Sequence, residues 1–217
     1  YVAGFLVFLN GDTTIVNRGW IGPHPNGYAI QSVNRILADL QFSNELSGVV
    51  QGDVEILRAV EVGRGTGTNL GLIDGRVVMP VPVSDAYGYG YGLPQRFDNH
   101  GLVRDIEVAS GEFVQAADAS FASNGSLRVA GDSSMPVYGS VFVDNDFLGT
   151  LTVEGTHQTG CLLGSNGTLA VGGVIDLKPM STLTVSPVVA QSCQFDGVLV
   201  GAGKLLKTGT GTQVIGA

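Results

Sequence analysis

The sequence predicts a mainly β fold: a sandwich or barrel of short strands with one helix near the N-terminus. Three observations carry this. Short runs rich in Val, Ile, Leu and Thr recur along the chain, Gly, Asn, Asp or Ser separates them, and apolar residues fall at helical spacing in a single segment, Tyr28 to about Gln41. Glycine makes up 33 of 217 residues, about twice its usual share. It shows no collagen period, so these glycines read as turns and bulges.

In chain order, Tyr1–Leu9 is apolar but too short to span a bilayer and lacks the positive flank of a signal peptide. It reads as a buried strand, or as an arm that pairs with a neighbouring subunit through Phe5 and Phe8. Residues 20–27, with two prolines and two glycines, read as a loop. The helix follows, with Ile30, Val33, Ile36, Leu37 and Leu40 on one face and Asn26 as its cap. From Val49 the pattern is β, with Val54, Ile56, Val60 and Val62 interleaved with acidic residues. Residues 63–71 hold four glycines and read as an exposed loop, and residues 76–83 read as an edge or irregular strand because of Pro80 and Pro82. Tyr87, Tyr89 and Tyr91 alternate with glycine, so an extended chain puts all three rings on one face, a candidate protein contact.

The second half predicts strands at 103–108, 112–116, 126–129, 137–143, 150–153, 168–171, 182–185, 197–200 and 212–215. Such a series fits a sandwich, a barrel or a β-solenoid. Leu151, Leu169, Leu183, Leu199 and Gln213 open comparable triplets at intervals of 18, 14, 16 and 14 residues. No period dominates, which ranks a parallel β-helix as the alternative. The Tyr/Gly-rich stretch suggests an N-terminal region of residues 1–90 and an all-β domain of residues 91–217, or one continuous domain.

Composition narrows function. A net charge of -8 argues against a nucleic-acid groove, and 44% hydrophobic with only 14% charged residues argues against disorder. Cys161 and Cys193 are too few for a disulfide scaffold or a four-cysteine zinc site, and a single disulfide and two buried thiols both stay open. His24, Asp105 and Ser133 stand in the order of a trypsin-like triad. Asp105 and Ser133 lie too close in sequence for that fold, however, and Ser134 follows where the motif has glycine, so Ser133 is expected to be a turn residue. Residues 63–68 and 201–204 lack the remaining parts of a phosphate loop. The three histidines have no paired ligand spacing and read as loop or surface residues, and Asp144-Asn145-Asp146 lacks the rest of a calcium loop. No catalytic residue, cofactor or metal is expected.

Two resemblances follow from quoted segments. Residues 110–114, 126–129, 136–142, 195–200 and 203–216, among them Phe195-Asp196-Gly197-Val198-Leu199-Val200, resemble the short-strand pattern of the capsid decoration (cement) proteins of tailed phages. That resemblance, over about residues 102–217, implies a non-enzymatic virion protein, commonly a trimer, that binds and reinforces a capsid lattice. Residues 201–212, Gly-Ala-Gly-Lys-Leu-Leu-Lys-Thr-Gly-Thr-Gly-Thr, are similar to the Gly/Lys/Thr repeat of bacterial autotransporter passengers. This second resemblance implies an extracellular passenger, adhesin or filament subunit at the cell surface. A glycan-binding module is the third reading, with Tyr87, Tyr89 and Tyr91 as stacking platforms. All three lysines fall at positions 178, 204 and 207, so most strand edges lack the usual lysine guard, and a homo-oligomer or lattice-bound subunit is expected.

Overall fold

The computed structural model describes residues 6–8, 12–23, 27–32, 40–56, 65–79, 95–109, 111–122, 125–129, 149–164 and 173–216. Among these the fold is mainly β and contains no α-helix, and every strand pairing is parallel.

One eight-stranded sheet runs the length of the chain. Its order is β2 (Thr13–Asn17), β5 (Leu40–Asn44), β8 (Gly65–Asn69), β10 (Arg96–Asn99), β12 (Glu112–Gln115), β15 (Thr150–Val153), β18 (Val174–Leu177) and β21 (Val198–Gly201). A ten-stranded sheet has as its main path β1 (Leu6–Phe8), β4 (Tyr28–Ser32), β7 (Asp53–Glu55), β9 (Leu72–Met79), β11 (Leu102–Val108), β14 (Ser126–Val129) and β17 (Cys161–Leu163). The first halves of β9 and β11 also pair sideways, β9 with β6 (Val49–Gln51), which itself pairs with β3 (Trp20–Ile21), and β11 with β13 (Ser120–Phe121). Two small sheets complete the set: β16 (Thr156–Thr159), β19 (Thr182–Val185) and β22 (Lys204–Lys207), and β20 (Ser192–Phe195) with β23 (Thr212–Ile215). β13 abuts β16 and β17 abuts β20, so the small sheets carry on from the two arms of the ten-stranded one. Both long sheets join strands from residues 65–79 to strands from residues 96–108, since β8 pairs with β10 and β9 with β11.

In-register parallel pairing turns equivalent positions into columns. In the eight-stranded sheet the central inward column reads Ile15, Phe42, Gly67, Phe97, Phe113, Leu151, Ile175 and Leu199. From Phe97 to Ile175 these side chains are fully buried, and they form the core with Ile30, Ile73, Ile106, Leu127 and Leu162 from the ten-stranded sheet. Alternation in strands such as β5, with Leu40, Phe42 and Asn44 buried and Gln41 exposed, follows the two-residue repeat of extended chain. On the outside, Arg76 bridges Asp53 (2.9 Å) and Glu107 (2.6 Å) across three strands, and Arg96 bridges Asp98 (2.7 Å) and Glu112 (2.6 Å).

Three expectations are corrected, and the alternative left open for the cysteines is decided. The helix at 28–41 is not formed: Tyr28–Ser32 is strand β4, and Leu40 and Gln41 open β5, while 33–39 lie outside the described residues. Leu40–Asn44 has a parallel partner on each side, and that pairing outweighs the helical spacing of the window. The glycine-rich loop at 63–71 contains β8, in which Gly65 and Gly67 are buried inward positions. Residues 76–79 belong to β9, which has neighbours on both sides and is not an edge. Cys161 and Cys193 form a disulfide between β17 and β20, with Cα atoms 5.9 Å apart. The described members of the predicted second-half series are strands close to the expected bounds.

Candidate functional site

The most organised polar feature is a ladder of side-chain amides on the inward column at the end of the eight-stranded sheet. Asn17 Nδ2 donates to Asn44 Oδ1 (2.8 Å), Asn44 Nδ2 to Asn69 Oδ1 (2.8 Å), Asn69 Nδ2 to Asn99 Oδ1 (2.7 Å) and Asn99 Nδ2 to Gln115 Oε1 (2.8 Å). All five are buried, so each bond satisfies groups that water does not reach. The chain turns directly after these residues. The N–H groups of Gly19, Gly71 and Gly101 donate to the Oδ1 atoms of Asn17, Asn69 and Asn99 (3.1, 3.2 and 3.3 Å), the Asx-turn geometry that favours Asn before a corner.

Beside the ladder runs an aromatic column. Phe42 and Phe97 stack at 6.5 Å, Phe97 and Phe113 at 5.3 Å and 6°, and Phe113 and Phe121 at 6.4 Å. The two columns converge on His157 in β16. Its ring meets Phe121 edge-on at 5.8 Å, Nδ1 lies 3.5 Å from Gln115 Nε2, and Nε2 is bonded to the Glu154 carbonyl. Burial pushes the His157 imidazole below the ordinary histidine range, against the opposing pull of the Glu154 and Ala116 carbonyls. The surface placement expected for His157 is thus corrected: it is a buried strand residue with partners at both ring nitrogens. His100 does lie at the surface, with Nδ1 2.8 Å from Asp118.

Of the triad-like residues, Asp105 is engaged structurally: Oδ1 accepts from the N–H (2.6 Å) and the hydroxyl (3.0 Å) of Ser126. His24 and Ser133 lie outside the described residues, as do Asp144 to Asp146. Gly67 offers no phosphate cradle, because the Phe97 ring fills its inward space. Among the described residues no group of three or more His, Cys, Asp or Glu is placed to hold a metal. No helix among them is long and apolar enough to cross a membrane.

The expected contact residues Tyr87, Tyr89, Tyr91 and Phe5 lie outside the described residues, and Phe8 ends β1, the first strand on the main path of its sheet. A different apolar surface stands out, formed by the last strands of three of the four sheets. Val198 and Val200 on β21, Leu206 on β22, and Val214 and Ile215 on β23 are all exposed. Sequence reasoning missed both this end and the amide ladder. The available signal for the ladder was the repeated Asn-X-Gly at 17–19, 69–71 and 99–101. No family model, curated protein or solved structure matches the chain.

Proposed function

We propose that the chain is a parallel β-helix of three strands per circuit, serving as a non-enzymatic extracellular scaffold of the autotransporter-passenger kind. The observation that carries this reading is the register. Leu151 pairs with Ile175 and Ile175 with Leu199, steps of 24 residues, and Leu183 pairs with Leu205 on another sheet. Residues 201–212, which carry the passenger resemblance, enter the same stack through β22 and the start of β23. A molecule whose buried polar groups bond to one another along its length suits a rigid spacer that presents its surface rather than reacting.

The Cys161–Cys193 disulfide supports an oxidising compartment, because disulfides are rare where thiols are kept reduced. On this ground we rank the extracellular reading ahead of capsid decoration. The test is protease treatment of intact producing cells, followed by detection of the chain and thiol counting after denaturation. The expected result is loss of the chain with cytoplasmic markers intact, and no free thiol. A chain protected inside cells with two free thiols overturns the proposal, and co-purification with virus particles favours the decoration reading.

A further inference from the structure

We propose that His157 is an acid-sensitive end stop of the amide ladder, so that its protonation unlocks the stack at β16. The argument begins with direction. All four amide–amide bonds point the same way, each nitrogen donating to the oxygen of the next circuit, from Asn17 through Gln115. The last amide nitrogen, Gln115 Nε2, therefore needs an acceptor, and the group facing it is His157 Nδ1. The other ring nitrogen is bonded to the Glu154 carbonyl, which can only accept, so Nε2 carries the proton and Nδ1 offers its lone pair. The neutral imidazole thus closes the ladder with the correct polarity.

A second proton would go to Nδ1 and set an N–H against the N–H of Gln115. The ladder cannot answer by inverting. The oxygens of Asn17, Asn69 and Asn99 are held by the N–H groups of Gly19, Gly71 and Gly101, and the Asn44 nitrogen by the Gly48 and Leu72 carbonyls, which fixes which way these four amides face. The mismatch therefore falls on the Gln115–His157 contact, and the ring loses its place against Phe121.

No charged group is placed to soften this. From β12 the ring faces the Gln115 amide, from the following turn the Ala116 carbonyl, from β13 Phe121, and from the turn before β16 the carbonyl of Glu154. Leu183 is its partner on β19. Asp118, on the turn after β12, is exposed and paired with His100. The sign follows. The unfolded chain takes up the proton near the ordinary histidine value of about 6.5, while the folded ring resists it. The associated stability is fully present above that value and is lost as pH falls towards the lower value of the folded ring.

The experiment is urea unfolding of the full chain from pH 8 to pH 5, comparing wild type with His157→Gln. Glutamine offers a carbonyl to Gln115 and an amide to the Glu154 carbonyl, so it closes the ladder without titrating. His24 and His100 remain in both proteins and cancel. Wild type is expected to lose about tenfold more in its folding constant than the variant for each pH unit by which folding lowers the imidazole pKa. Equal pH dependence overturns the proposal. Should His157→Gln not fold, ring-nitrogen NMR of the wild type decides: a neutral ring protonated at Nε2 and persisting well below pH 6.5 supports it. A ring protonated at Nδ1 at pH 8, or titrating at 6.5 or above, overturns it.

Discussion

Gly67 and Phe97 share one layer of the core: a Cβ on Gly67 would lie 2.3 Å from Phe97 Cδ2 and 2.5 Å from Cε2. The two residues are register partners, and Gly67 also pairs with Phe42 on its other side. The missing side chain lets the Phe97 ring lean over β8 and stack on Phe42. Gly67→Ala should therefore overpack the column and cost about 1–3 kcal/mol. In combination with Phe97→Leu the penalty should be less than the sum of the single losses, as measured by a double-mutant cycle in denaturant unfolding. Additive losses would mean that the ring does not use the glycine's space.

The same pair shows why β8 was not legible. Alternation reveals a strand when its inward positions are apolar, as with Ile106 and Val108 of β11 or Leu183 and Val185 of β19, and there the expected strands agree with the structure. In β8 the inward positions are Gly65, Gly67 and Asn69, which in isolation have the composition of a loop. Their burial comes from neighbouring strands, β5 and β10, that no local window contains. The equal steps from Leu151 to Ile175 to Leu199 were hidden for a related reason. Leu151 and Leu199 belong to the eight-stranded sheet, Leu183 to β19 and Gln213 to β23, so their intervals mixed positions from three different sheets. Within one sheet the steps from Leu151 to Ile175 to Leu199 are equal.

Asn69 stands mid-ladder, accepting from Asn44 and from the N–H of Gly71, and donating to Asn99. Asn69→Ala deletes all three bonds inside a buried column and should cost about 2–3 kcal/mol, at the upper end of the range for orphaned buried groups. Asn17→Ala, at the first strand of the sheet, should cost less because it breaks one amide–amide bond, to Asn44, where Asn69→Ala breaks two. Thermal unfolding of the two variants checks the ranking, and equal losses would show that the bonds do not act as a ladder.

At the other end, Gln213 of β23 reaches back over Cys193 to β17. Its Oε1 accepts from the Leu162 N–H (3.1 Å) and its Nε2 donates to the Leu162 carbonyl (2.9 Å), as a strand partner would. The disulfide and this side chain therefore tie β20 and β23 to β17 together. Cutting the 32-residue cross-link with Cys161→Ala/Cys193→Ala should cost about 3–4 kcal/mol on the chain-entropy view. Adding Gln213→Leu should then lower stability further and raise hydrogen exchange at Leu162. An unprotected Leu162 amide in the parent protein would contradict the bond.

The last prediction concerns the end of the stack. Leu199 lies in register with Ile175 and Leu205 with Leu183, yet where Ile175 and Leu183 are fully buried, Leu199 and Leu205 are only partly so. Ile215 covers the buried Phe195 and is itself 39% exposed. Among the described residues, β21, β22 and β23 each pair on one side only, so each leaves one strand edge unpaired. Such an edge is a template for association, and lysine is a natural guard against it. Here Lys204 and Lys207 flank Leu205 and Leu206 on β22, while β21 and β23 carry none. Val200→Lys and Val214→Lys should therefore reduce concentration-dependent association with little loss of stability, because both side chains already reach solvent. Lys204→Val with Lys207→Val should increase it. Sedimentation velocity across the micromolar range separates the cases. If all these variants sediment like the parent, the terminal edges are not where copies of the chain meet.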